Sequence, residues 1–244
     1  MLPVIDVPIF TVNLLSVDNP VRFRCFTVKE EKLFLMAAES SDSNSMMATT
    51  RQVLKNCVLD EIDIDSVPAF DIETLFMNVR ARSVGEVVNL NYKCNNIVGE
   101  TENGEGKRCN HNVKIDVNLL DIQPSFGEGH DKKIEITPTV GLVLKYPNMK
   151  ALEKAQNSSA AEAMVDLAVD CVDYIYDAEQ IFYSKDVPRD QMVDWFERLQ
   201  SKDLEKIRKF FDTLPKIKKD VHFHCDKCGY EENITVEGLE SFFV

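Results

Sequence analysis

Positive charge is what this sequence is short of: 28 lysines and arginines face 41 aspartates and glutamates, a formal net charge of −13 at pH 7. A surface so biased repels nucleic acid and anionic membranes and releases no counterions on meeting them, which argues against binding to either. Long apolar runs are lacking as well. No stretch approaches the roughly 18 residues of a membrane span, and "MLPVIDVPIF" has neither a basic region nor the uninterrupted apolar stretch of an export signal. The expectation is a chain that is cytosolic at synthesis. Catalytic signatures are missing too: there is no nucleophile elbow, no His-Glu-x-x-His helix and no phosphate-cradling glycine loop. "VGETENGEGK" resembles a P-loop in composition but lacks its Gly-Lys-Ser/Thr ending, and Asp63 and Asp65 are not followed by a calcium-loop pattern. No internal repeat of solenoid type occurs.

What is present is a chain of 244 residues, 44% apolar, long enough to bury a substantial core as one large domain or two small ones. Its seven cysteines are odd in number and spread through the chain, unlike the dense even framework of a secreted disulfide scaffold. Reduced thiols, some of them binding metal, fit this pattern.

Periodicity divides the chain into four segments. Residues 1–84 read as a hairpin, "IFTVNLLSVDNPVRFRCF", followed by helices. Thr27 and Glu30 make a capping box ahead of a Leu33, Met36 and Ala37 stripe, and Cys25 is read as core. Further helical stripes carry Met46, Val53, Leu54 and Cys57, and then Leu75, Phe76 and Val79 after Pro68. Residues 85–147 switch to period two in "EVVNLNYKC", "NVKIDVNLL", "KKIEITP" and "VGLVLKYP". Between the first two lies "NNIVGETENGEGKR", read as an exposed loop and not a packed element. Residues 148–215 read as a helical subdomain. There Ser159 with Glu162 forms a second capping box, Met164, Leu167, Ala168, Cys171, Val172 and Ile175 share one helical face, and Met192 to Phe211 repeat the pattern. Residues 216–244 form a last hairpin, "VHFHC" and "NITVEG", ending in the aromatic "LESFFV".

The chemistry concentrates in cysteine. "HCDKCGY" places Cys225 and Cys228 two residues apart with Gly229 after them, a turn in which both sulfurs can face one centre and glycine supplies positive φ. Cys94 and Cys109 likewise end the two central strands. Two hairpins facing one another would make a zinc ribbon, with Cys94, Cys109, Cys225 and Cys228 closing a tetrahedron. Fourteen residues separate Cys94 from Cys109. Closing that loop costs only about 2 kcal/mol more than a minimal turn, against roughly 10 kcal/mol or more from structural zinc. A redox pair and unliganded packed thiols remain the alternatives, although a thioredoxin-like motif belongs at the start of a helix and here sits in a hairpin. His111 is the substitute fourth ligand. His222 and His224 fall on the strand face opposite Phe223 and Cys225 and read as solvent-facing. Four protein sulfurs leave no position for water, so a zinc ion there is structural, not catalytic.

Four ordered blocks, "FTVKEEKLFLMAAES", "VPAFDIETLFMNVRARSVGEVVNLNYKC", "VKIDVNL" and "FHCDKCGYEENITVEGLESFF", together resemble the signature blocks of the T4-like phage baseplate protein family, whose members are baseplate hub subunits and hub assembly proteins. The resemblance spans nearly the whole chain. It implies a non-enzymatic role in building the central hub of a contractile tail, made late in infection in the host cytoplasm and retained in the virion if the chain is a subunit. The implied partners are other hub and tail proteins, with no nucleic acid, membrane or small-molecule substrate. The wide Cys94 to Cys109 spacing departs from the compact pair expected of the family. The expected fold is α+β: hairpins and helices, a helical insertion, and a zinc-ribbon-like module from two sequence-distant hairpins. A transient tail-assembly chaperone and a zinc- or thiol-dependent enzyme are the rival readings.

Overall fold

The computed structural model describes residues 5–40, 43–100, 105–156 and 160–237. The protein is α+β, built as three packed clusters joined by one helix. The first contains the antiparallel pair β1 (Ile9–Val12) and β2 (Val21–Arg24) with α1 (Val28–Ser40), α2 (Ser43–Cys57) and α3 (Ala69–Ser83). Val12, Val21 and Phe23 point inward from the hairpin onto Val53, Leu54 and Cys57 of α2 and Ile72, Leu75, Phe76 and Val79 of α3. The N-terminus of α1 is held as its sequence suggests. The Glu30 carboxylate accepts from the Thr27 N–H (2.8 Å) and hydroxyl (2.6 Å), and it pairs with Arg24 at 2.9 Å. Two expectations change here. Cys25 is only half-buried, its Sγ donating to the Arg82 carbonyl, and Met36 is exposed because α1 turns Leu33, Phe34 and Ala37 inward instead.

Helix α3 is the shared wall. Ten of its fifteen residues are buried, which is why it lacks a clean polar face. Ile72, Leu75, Phe76 and Val79 serve the first cluster, while Met77 and Ala81 face the second. Its buried Asp71 accepts hydrogen bonds from the N–H groups of Leu15 and Ser16, both at 2.8 Å, tying the loop after β1 to the helix.

The second cluster is two stacked hairpins. Strand β3 (Val87–Lys93) pairs antiparallel with β6 (Asn112–Asn118), and β11 (Lys218–His224) with β12 (Glu231–Glu237). Period-two alternation sends Val88, Leu90, Ile115 and Val117 to one side, where Ile217 and Phe223 from the other hairpin meet them. Residues 95–108 differ from the expected loop. They carry a small antiparallel hairpin, β4 (Ile97–Glu100) with β5 (Gly106–Arg108), in which every described strand residue is exposed. Ile97 lies over Gly106, where any Cβ would come within 3.1 Å of it. Pairing two exposed strands satisfies their backbone groups without adding a core.

The third cluster holds a four-stranded antiparallel sheet in the order β10 (Ile181–Tyr183), β9 (Val172–Tyr176), β8 (Gly141–Leu144), β7 (Lys133–Glu135). It is backed by α5 (Ala160–Asp170), α6 (Arg189–Glu197) and α7 (Ser201–Asp212), with α4 (Met149–Gln156) leading into α5. The segment expected as one continuous helix through Ile175 therefore ends at Asp170 and becomes a strand. The cause of the misreading is a bulge: Val143 pairs with Tyr174 but Leu144 with Val172, leaving Asp173 unopposed, so the buried strand residues Val172 and Ile175 fall three apart and continue the helical spacing. Pairing of β8 with β9 also carries the sheet across the expected boundary at residue 148. The second capping box and the "LESFFV" end lie outside the described residues. Rings of Phe70, Phe126, Tyr146, His130 and Phe210, with centroids 4.5–6.0 Å apart, join α3 to this third cluster.

Candidate metal centre

The two stacked hairpins end in turns of the same backbone design. At the C-terminal turn, Cys225 N–H donates to the Tyr230 carbonyl (2.9 Å), Gly229 N–H donates to the Cys225 carbonyl (2.8 Å), and Gly229 has φ +70°. At the other, Cys94 N–H donates to the His111 carbonyl (2.8 Å), Asn110 N–H donates to the Cys94 carbonyl (3.0 Å), and Asn110 has φ +54°. Residue for residue, Cys94, Cys109, Asn110 and His111 stand where Cys225, Cys228, Gly229 and Tyr230 stand. The long spacing between Cys94 and Cys109 is thus a compact turn whose two-residue tip has been replaced by the β4–β5 hairpin. Cys109 N–H donating to the Asn96 carbonyl (2.8 Å) closes the base of that insertion.

The turns face each other sulfur to sulfur. Cys94 Sγ lies 3.7 Å from Cys228 Sγ, Cys109 Sγ lies 3.8 Å from Cys225 Sγ, and all four sulfurs lie within 4.8 Å of one another. With Zn–S bonds of about 2.3 Å, the edge of a regular ZnS₄ tetrahedron is about 3.8 Å. Both close cross-hairpin pairs match that edge, and all seven cysteines are free thiols. Cys94 and Cys225 are fully buried, Cys109 nearly so and Cys228 half-buried. The wall behind them is apolar, with the Tyr92 ring meeting the buried Phe223 ring at 4.8 Å and 61°.

Electrostatics separates the four sulfurs. Burial pushes the Cys94 thiol up to about 12 and raises Cys109 as well. Burial acts upward on Cys228 too, but there the Tyr230 N–H and the Asn96 side-chain amide, 3.6 Å from Sγ, outweigh it and bring the thiol down to about 6. Neutral thiols packed this closely are poorly solvated, and thiolates without a cation would repel. A divalent ion with a preference for sulfur satisfies both conditions and deprotonates its ligands on binding. Four sulfurs fill a tetrahedral shell, leaving no open position at which water or substrate could be activated.

The histidines stand apart from this cluster. His111 contributes its backbone carbonyl to the turn, and its ring is not among the converging groups. His222 and His224 are exposed on the outer face of β11, against Asn233 and Glu231. Two residues that shape the site carried little signal in the sequence. Asn96 donates to Cys228, and Asn110 takes the left-handed conformation that Gly229 takes in the other turn. The dipeptides Cys109-Asn110 and Cys228-Gly229 were the available hint, since asparagine is the non-glycine residue that tolerates positive φ best.

Among the described residues the four cysteines are the one group of three or more His, Cys, Asp or Glu side chains that converge closely enough to hold a metal ion. No helix described is long and apolar enough to cross a membrane. Comparison with curated proteins and with solved structures gives no match. A family model described as T4 bacteriophage base plate protein matches residues 7–244, which is essentially the whole chain and includes all four cysteines. This chain belongs to that family and has a structural role in a phage baseplate.

Proposed function

We propose that this chain is a non-enzymatic component of the central hub of a contractile-tail baseplate, acting through contacts with other hub and tail proteins, and that Cys94, Cys109, Cys225 and Cys228 hold one structural zinc ion. The observation that carries the reading is the arrangement of four sulfurs at tetrahedral-edge spacing in two matched turns more than a hundred residues apart in sequence. Such a centre works as a clasp. It joins 85–118 to 216–237, so that the whole third cluster hangs from the ribbon as an insertion whose ends are fixed. In this reading the chain keeps four segments, with β7 and β8 assigned to the insertion.

A closed sulfur shell, with no coordination position left for water or substrate, supports a binding and scaffolding role for the centre over zinc catalysis. Assembly takes place in the host cytoplasm, and the finished tail retains the chain. Quantitative mass spectrometry of purified particles tests the retained role. A fixed stoichiometry relative to baseplate proteins is expected, and absence from mature particles with presence in assembly intermediates would overturn it in favour of a transient assembly factor.

A further inference from the structure

The two edges of the four-stranded sheet are unlike one another. Strand β7 is a protected edge: it reads Lys-Ile-Glu, Lys133 and Glu135 pair at 3.2 Å, and Lys206 caps the Glu135 carbonyl at 2.6 Å. Charges of this kind are how soluble proteins keep an edge from pairing with another chain. Strand β10 carries no charged residue of its own, and the nearest lysine, Lys185, lies just beyond it with Nζ 5.6 Å from the Tyr183 ring centroid. The strand reads Ile-Phe-Tyr, and Ile181, Phe182 and Tyr183 are 51%, 38% and 46% exposed.

Its backbone is available as well. Gln180 accepts from the Asp177 N–H (3.0 Å) and Ser184 N–H donates to Asp173 (2.9 Å), which fixes the phase of the ladder between β10 and β9. Hydrogen-bonded pairs alternate along antiparallel strands, so Phe182 directs its N–H and C=O at Ile175 while Ile181 and Tyr183 direct theirs away from the sheet. The Tyr183 carbonyl is taken by the Asp186 N–H at 3.0 Å. Left facing outward are the N–H and C=O of Ile181 and the N–H of Tyr183, which is the set that a short added strand uses. Ile181 and Tyr183 lie on the same face as Tyr174 and Tyr176 of β9, so the free edge continues into an aromatic surface.

We infer that β10 is a docking edge that takes a short extended segment of a partner protein, apolar at its centre and carrying lysine or arginine at its ends. Charge selects the occupant. From Asp173 to Asp186 the flanks of the edge hold Asp173, Asp177, Glu179 and Asp186 against Lys185 alone, four negative charges to one positive, on a chain whose net charge is −13. A second copy is disfavoured. Pairing β10 with itself about Ile181 sets Tyr183 against the turn residue Glu179 and brings together two strongly negative chains. A strand from another protein forms all three backbone hydrogen bonds and neutralises the flanks, which is recognition by strand addition. The inference does not depend on whether the chain stays in the finished tail.

Ile181→Pro removes the outward N–H and leaves the pairing with β9 intact, since proline is tolerated where an edge N–H faces solvent. The test introduces this variant and Tyr183→Lys into tagged full-length chain, purifies the complexes formed in infected cells, and measures amide hydrogen exchange in the free chain and in the complex. The expected result is at least tenfold slower exchange at Ile181 and Tyr183 in the parental complex, and at least tenfold less co-purified baseplate protein with either variant. Both variants are expected to melt within about 2 °C of the parent, and two variants guard against one that fails to fold. Equal exchange in free and complexed chain, or variants that assemble like the parent, would overturn the proposal. Sedimentation of the free chain as a dimer that Ile181→Pro dissociates would overturn it in favour of a second copy.

Discussion

Replacing Gly229 by alanine separates conformational strain from packing at the candidate metal centre. Gly229 has φ +70°, and a Cβ built on it meets no heavy atom within 4 Å. Steric clash therefore contributes nothing, and the whole cost is that of holding an L-residue in the left-handed region, about 1–2 kcal/mol. Destabilisation of about 1–2 kcal/mol is expected, together with about five- to thirtyfold weaker metal binding if the turn closes only around the ion. Gly229→Asn is expected to cost less, because asparagine already occupies the equivalent place at Asn110 with φ +54°. Chelator competition for metal affinity and urea unfolding of the loaded protein are the assays. Gly229→Ala behaving like the parent would refute the conformational argument, and a loss above about 3 kcal/mol would show that the turn is packed against something.

Two further predictions concern the first cluster. Burial by itself pushes the Glu30 carboxyl up, but Arg24 and Thr27 outweigh it and hold it down to about 2, below the ordinary 4.5. A carboxylate depressed on folding stabilises the fold above its unfolded value and loses that contribution as pH falls toward 2, here on the order of 3 kcal/mol. The difference in unfolding free energy between parent and Glu30→Gln should accordingly be full at pH 6 and shrink between about pH 4.5 and 2, and a difference independent of pH would contradict the ion-pair account. Asp71→Asn keeps the side-chain shape but swaps one accepting oxygen for a donor facing the N–H groups of Leu15 and Ser16, so a loss of about 2–4 kcal/mol is expected by denaturant titration. A change under about 0.5 kcal/mol would mean that those two hydrogen bonds do not anchor the loop.

Much of this fold was readable because its elements bury a single face. The alternation in "VVNLNYK" and "NVKIDVN", the stripe in α2 and the Thr27–Glu30 box each map one sequence period onto one structural period. The readings that changed are places where another constraint shifts that mapping. In β9 the bulge at Asp173 moves the buried positions to a spacing of three, and only the β-branched and aromatic content of "VDYIY" signalled a strand. At Cys25 and Met36 the rotation of a short element against its neighbour decided exposure, and no local pattern records that rotation. The metal centre was legible as a set of four cysteines but not as two equivalent turns. The β4–β5 hairpin hides the second behind fourteen residues, and the equivalence rests on backbone hydrogen bonds and on the left-handed conformation of Asn110.

The central claim is that one metal ion bound by four thiolates clasps the end of the chain to its middle. Metal analysis of the purified full-length chain, read together with its unfolding before and after chelation, tests it most directly. The account predicts about one zinc per chain. It also predicts that Cys225→Ser or Cys94→Ser abolishes binding and that removing the metal opens the ribbon. A protein that stays fully folded without metal and with a reversible Cys225–Cys228 disulfide would contradict it.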